Sequence, residues 1–179
     1  MVQLSERTYY VGVNDFDKVL FEGLWPLPYG VSYNSYVVAD EKVALIDTVE
    51  CGFEEEFLAN VKEAIGERPI DYLVVNHMEP DHSSLIAYML EKYPQMQIVA
   101  NAKTVPMLKG YYGTPEDRIT VIAEGGKVFF PKQAASVPQS STSLVSCLCS
   151  VQLSFSSQRR EWLPSLEGIK NRKIQTAKA

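Results

Sequence analysis

The feature that most narrows the fold is a compact apolar run, Tyr-Leu-Val-Val at 72–75, that passes straight into Asn-His-Met-Glu-Pro-Asp-His-Ser-Ser at 76–84. Such a run reads as a buried strand. Strand and helix patterns alternate around it. Residues 9–13 are β-prone. Residues 33–39 (YNSYVVA) and 43–47 (VALID) are apolar strands separated by Asp40, Glu41 and Lys42, the pattern of a β-hairpin. Between 53 and 65, apolar side chains fall at 53, 57, 58, 61, 64 and 65 with glutamates between them, so a helix with one buried face is predicted. A further helix is expected at 85–93, ended by Pro94, and a strand at 97–100. The next expectations are a helix at 103–111 despite Pro106 and strands at 119–122 and 127–130. Hairpins followed by strand–helix units predict an α/β (α+β) protein whose sheets carry helices on their outer faces.

Four metal-type donors follow the strand at 72–75. His77, Glu79, Asp81 and His82 lie within six residues, and His77 and His82 are the chain's 2 histidines. Strand ends are where α/β folds place ligands. Two imidazoles and two carboxylates suit a divalent transition metal. In an extended loop, residues 77, 79 and 81 project to one side, and Pro80 stiffens the backbone between them. A third imidazole at 79 would suit zinc hydrolysis. Glutamate makes the set richer in oxygen, which favours iron or manganese. A plainer alternative is that Asp81 or Ser83 caps a helix start.

Composition divides the chain near residue 130. Residues 1–130 carry 20 acids and 10 bases, whereas 131–179 carry 2 acids, 7 bases and ten serines. All ten tyrosines and every aspartate precede the break. Two segments are therefore expected: a folded front part at 1–130 and a Ser-rich basic tail at 131–179. The tail reads as a disordered extension, as a poorly patterned part of the same domain, or as a non-native ending from a shifted reading frame. A net charge of −5 argues against a general nucleic-acid binder. No window is long and apolar enough to span a membrane, so none is expected as a partner. Three cysteines and a start without a secretory pattern make a reducing, cytoplasmic setting the expectation.

On these residues the chain resembles the metallo-β-lactamase-like domain of the flavodiiron proteins (A-type flavoproteins). The resemblance rests on His77-x-Glu79-x-Asp81-His82 followed by Ser83. It rests also on Gly30-Val-Ser-Tyr-Asn-Ser-Tyr36 and on Ala44-Leu-Ile-Asp-Thr48 ahead of an acidic helix, and it covers roughly residues 5–128. The Glu form of the motif is fairly specific, because most of the wider superfamily carries His in that place. The resemblance implies an αββα sandwich. It further implies a non-haem di-iron site that reduces dioxygen to water or nitric oxide to nitrous oxide. By the same resemblance His77, Glu79 and Asp81 bind iron, and His82 sits at the site. Electrons come, in that family, from FMN in a following flavodoxin-like domain that meets the iron of the partner subunit in a head-to-tail homodimer. The redox donor that the resemblance implies is a rubredoxin or a flavodoxin-like domain.

The match stops after Phe130. The tail has no His and no Asp, so it supplies neither the family's downstream histidines nor its bridging aspartate. Cys147 and Cys149 read as buried or incidental thiols. The 179 residues leave no room for a flavodoxin domain, so FMN is not expected to bind in cis. An incomplete sandwich with a partial site is therefore expected, with one apolar sheet face left uncovered. Two other functions compete: a metal-dependent hydrolase of the wider superfamily, for which Glu79 is an odd choice, and a non-catalytic fragment.

Other features read more plainly. Gly113, with Pro115 behind it, is expected to end a helix rather than mark a cofactor loop. Trp25, near Pro26 and Pro28, reads as a packed aromatic in a rigid loop, or else as part of the site's entrance. Glu54, Glu55 and Glu56 form the solvated start of a helix. Gly125-Gly126 reads as a hairpin turn.

Overall fold

Side-chain alternation along short strands decides how the chain layers. The computed structural model describes residues 1–123. Its strands, in chain order, are β1 (Val2–Gln3), β2 (Thr8–Tyr10), β3 (Val13–Asp15), β4 (Leu20–Phe21), β5 (Trp25–Pro26), β6 (Val31–Tyr33), β7 (Tyr36–Ala39), β8 (Val43–Ile46), β9 (Tyr72–Val74), β10 (Gln97–Asn101) and β11 (Ile119–Ile122). The α-helices are α1 (Glu54–Ile65), α2 (Pro80–Ser83), α3 (Ile86–Lys92) and α4 (Val105–Tyr112), and a 3-10 turn covers Glu116–Arg118. The expected strand at 127–130, the turn at Gly125-Gly126, the tail at 131–179 and Cys147 and Cys149 lie outside the described residues.

One mixed sheet runs in the order β1-β2-β7-β8-β9-β10-β11. Its first half is antiparallel and includes the predicted β7–β8 hairpin. Its second half, from β8 to β11, is parallel. Parallel neighbours need a crossover, and α1, the α2–α3 pair and α4 provide the three. Val37, Leu45, Leu73 and Ile98 point to one face, where they are buried with Phe57 and Val61 of α1, Ile86 and Met89 of α3 and Leu108 of α4. Val38, Ile46, Val74 and Val99 alternate with them and form a second cluster, against which Tyr36, Tyr72 and Ile122 pack. Among the described residues, the centre of the face expected to lie bare is buried: these four side chains are no more than 5% exposed.

Helix ends follow local chemistry. Glu54, Glu55 and Glu56 occupy the first turn of α1, where acids complement the helix dipole. Pro106 sits in the first turn of α4, where a missing N–H costs nothing. Gly113 ends α4 in the left-handed region at φ 59°, as predicted.

Two predicted strands are broken, for one reason. The runs 9–13 and 33–39 each divide, because the chain leaves the large sheet to form a second ribbon in which β3 pairs with β6. At the crossing, the amide of Val11 donates to the carbonyl of Ser35 at 2.9 Å. A Cβ on Gly12 would stand 2.2 Å from the carbonyl oxygen of Tyr33, so only glycine permits this approach. Trp25 is corrected too. It is 64% exposed, on a small hairpin where β4 pairs with β5, rather than packed in a loop.

Candidate metal centre

The site forms where β8 and β9, parallel neighbours, end side by side. β8 ends at Ile46, and the backbone of Asp47 just beyond it turns into the left-handed region at φ 54°. Asp tolerates that region better than most residues with a side chain. The Asp47 carbonyl accepts a hydrogen bond from the Ser35 hydroxyl at 3.0 Å. Its own amide donates to Val74 at 2.9 Å, which ties the turn to β9. The turn aims the Asp47 carboxylate across the strand end. There Oδ1 accepts the amide N–H of Asn76 at 2.7 Å and that of His77 at 3.2 Å. Asp47 is 3% exposed. Burial pushes its carboxyl above the usual carboxylate range, opposed by those two amides and by the neighbouring His82 and His77 rings. The next residue, Thr48, donates both its amide (2.8 Å) and its hydroxyl (2.9 Å) to the carbonyl of His82. The loop that leaves β9 is thus held at its start by Asp47 and at its far end by Thr48.

Between those clamps stand the predicted donors. His77, Glu79 and Asp81 each present one ligand atom, and the three lie within 4.8 Å of one another. His77 Nε2 is 3.4 Å from Glu79 Oε2. The expected extended loop is only partly present. Glu79 is extended at ψ 150°, but Pro80 then opens the single turn of α2, which carries Asp81 and His82. His82 stands beside the trio rather than within it. Its ring meets that of His77 edge-on with centroids 5.3 Å apart, and its Nε2 is 3.6 Å from Asp81 Oδ2, too long for a hydrogen bond.

Capping does not explain these residues. The cap position of α2 is Glu79, which makes no side-chain cap bond. Ser83 donates backwards instead, to the carbonyls of Met78 (3.0 Å) and Glu79 (2.9 Å). Two polar atoms of the cluster, Asp81 Oδ1 and His82 Nδ1, are buried without a hydrogen-bond partner. Buried polar atoms are nearly always paired, and an unpaired one calls for a cause. A bound cation is such a cause for Asp81, whose carboxylate belongs to the trio. The mixed nitrogen and oxygen donor set fits iron or manganese. His77, Glu79, Asp81 and His82 were legible in the sequence. Asp47 and Thr48 stood in the quoted segment at 44–48 but without a role, and Tyr112, bonded to Ser83, had no signal beyond its place at a helix end.

A mixed α/β sheet with a His/Glu/Asp cluster at its strand ends defines a metallo-β-lactamase-like protein. A family model described as "ODP family beta lactamase" matches residues 31–138, and the chain belongs to that family. It is 30% identical over 128 residues to an anaerobic nitric oxide reductase flavorubredoxin of Vibrio vulnificus, covering 71% of this chain and 26% of that protein. The flavodiiron protein of Giardia intestinalis superposes with a TM-score of 0.66 at 29% identity, over 72% of this chain and 31% of the other. Rubredoxin oxygen:oxidoreductase of Desulfovibrio gigas superposes with a TM-score of 0.63 at 27% identity, over 68% and 30%. The chain spans about a quarter of the length of the curated relatives it matches.

Proposed function

We propose that this chain carries the first ligand loop of a flavodiiron-type oxidoreductase, with His77, Glu79, Asp81 and His82 as its iron-binding residues. The observation that carries this reading is the convergence of three donors within 4.8 Å beside two buried polar atoms that lack partners. The names of the relatives support an oxidoreductase, and dioxygen and nitric oxide are the substrates to test. Iron, when bound, supplies electrons and open coordination positions to a small diatomic molecule. This chain's part is to hold and orient the ligands. Asp47 and Thr48 fix the two ends of the loop. Asp81 and His82 keep one side of the cluster dry, whereas His77 and Glu79 face its open side. The proposal extends to FMN on a separate flavodoxin-like domain, a rubredoxin-type donor, a head-to-tail homodimer and a cytoplasmic location. Among the described residues no helix is long and apolar enough to cross a membrane. Glu79, an odd ligand for zinc hydrolysis, weighs against a hydrolase.

Anaerobic titration of the chain with ferrous ion tests the reading. Saturable uptake is expected, weakened by at least about tenfold in His77→Ala. Equal uptake by the variant and the parent would remove the basis for the proposal.

A further inference from the structure

A third clamp on the ligand loop comes from outside it. Ser83 is fully buried, and its Oγ lies 2.7 Å from the hydroxyl of Tyr112, in the last turn of α4. The same Oγ lies 3.0 Å from the carbonyl of Met78 and 2.9 Å from that of Glu79. A serine hydroxyl has one proton, and a carbonyl oxygen has none to give. Placing the serine proton on these carbonyls makes the Tyr112 hydroxyl the donor to Ser83. The direction of the chain is Tyr112 to Ser83 to the backbone on either side of Glu79. Glu79 is the most exposed of the donors and, like Asp81, receives no hydrogen bond from Asp47 or Thr48. The bond of Ser83 to Glu79 alone would be an ordinary backward bond within a helix turn. The bond to Met78 lies outside α2, and the one to Tyr112 spans 29 residues.

We propose that Tyr112 is a positioning residue for the metal site, holding the Glu79 segment in place through Ser83 from a separate helix. The inference rests on the ligand-loop reading above. It differs from that reading in placing part of the control of the site on α4, which supplies no ligand.

The test compares the full-length parent with Tyr112→Phe, which keeps the ring and removes only the hydroxyl, and with Ser83→Ala. Two readouts separate the claims. In metal-free protein, hydrogen–deuterium exchange over residues 77–84 should accelerate about tenfold in Tyr112→Phe, while α1 and β10 stay unchanged. Cobalt(II), used as a spectroscopic probe, should bind about tenfold more weakly, with an altered ligand-field spectrum. Ser83→Ala should reproduce both changes, and adding Tyr112→Phe to it should change nothing more. Unchanged exchange at 77–84 overturns the inference, as does acceleration spread equally over α1 and β10. If the parent takes up no cobalt, the ligand-loop reading fails by itself, and the exchange result still decides the role of Tyr112.

Discussion

Asp47 does three things with one side chain and one turn. It follows β8 in the left-handed region, accepts two amides from the loop after β9, and sits 3% exposed beside the histidines. Leaving two part-buried N–H groups unpaired costs about 1–3 kcal/mol together, and alanine at φ 54° adds strain of about 1 kcal/mol. Asp47→Ala should therefore lower the unfolding free energy of the metal-free chain by about 2–4 kcal/mol in a urea titration. A loss below about 0.5 kcal/mol would mean that the two amides find other partners. The four donors and Asp47 differ in how readable they are. His77, Glu79, Asp81 and His82 are neighbours in sequence, so their chemistry shows in six letters. Asp47 is 29 residues from Asn76, and only the pairing of β8 with β9 brings it there.

Among the elements, the antiparallel edge carries a pH dependence. Tyr10 of β2 stands opposite Tyr36 of β7, with ring centroids 5.6 Å apart. Burial pushes the Tyr10 phenol up to about 12, with a further push from Tyr36. An unfolded tyrosine ionises near 10, so between about pH 10 and 12 the unfolded chain gives up its proton while the folded one keeps it. The contribution of this pair is fully present below about pH 10 and is lost as pH climbs towards 12. Chemical denaturation at rising pH should show stability falling across that window, and Tyr10→Phe should flatten the fall. An identical fall in the variant would place its cause elsewhere. The elements themselves were largely visible in the sequence: the β7–β8 hairpin, α1, β9, α3 and β11 fall within the predicted segments, and β10 and α4 each run one residue past theirs. α2 was hidden, because one turn is too short to show a period.

For the whole molecule, metal binding at the proposed ligand loop would be linked to folding. A cation that binds the native state alone raises stability, by about 2.7 kcal/mol at a hundredfold excess over its dissociation constant. Ferrous ion should therefore raise the thermal midpoint of the parent and leave that of His77→Ala nearly where it was. A midpoint indifferent to iron in both proteins would speak against a bound state coupled to this fold. The parallel half of the sheet makes the coupling direct, since β8 and β9 supply both the core residues Leu45 and Leu73 and the ends from which the site is hung.

From the residue order alone came the alternation of strand and helix, the hairpin, and a donor set rich enough in oxygen to point to iron. These are local properties: a period of two or three to four residues, or six neighbours in a loop. The tertiary structure decided which strands sit side by side, where Gly12 and Ser35 break two apparent strands, and which distant residues hold the loop. Those outcomes depend on contacts between segments tens of residues apart, such as Asp47 with His77 and Tyr112 with Ser83. Such contacts leave no periodic mark in a sequence, because nothing in either segment varies with its distance from the other.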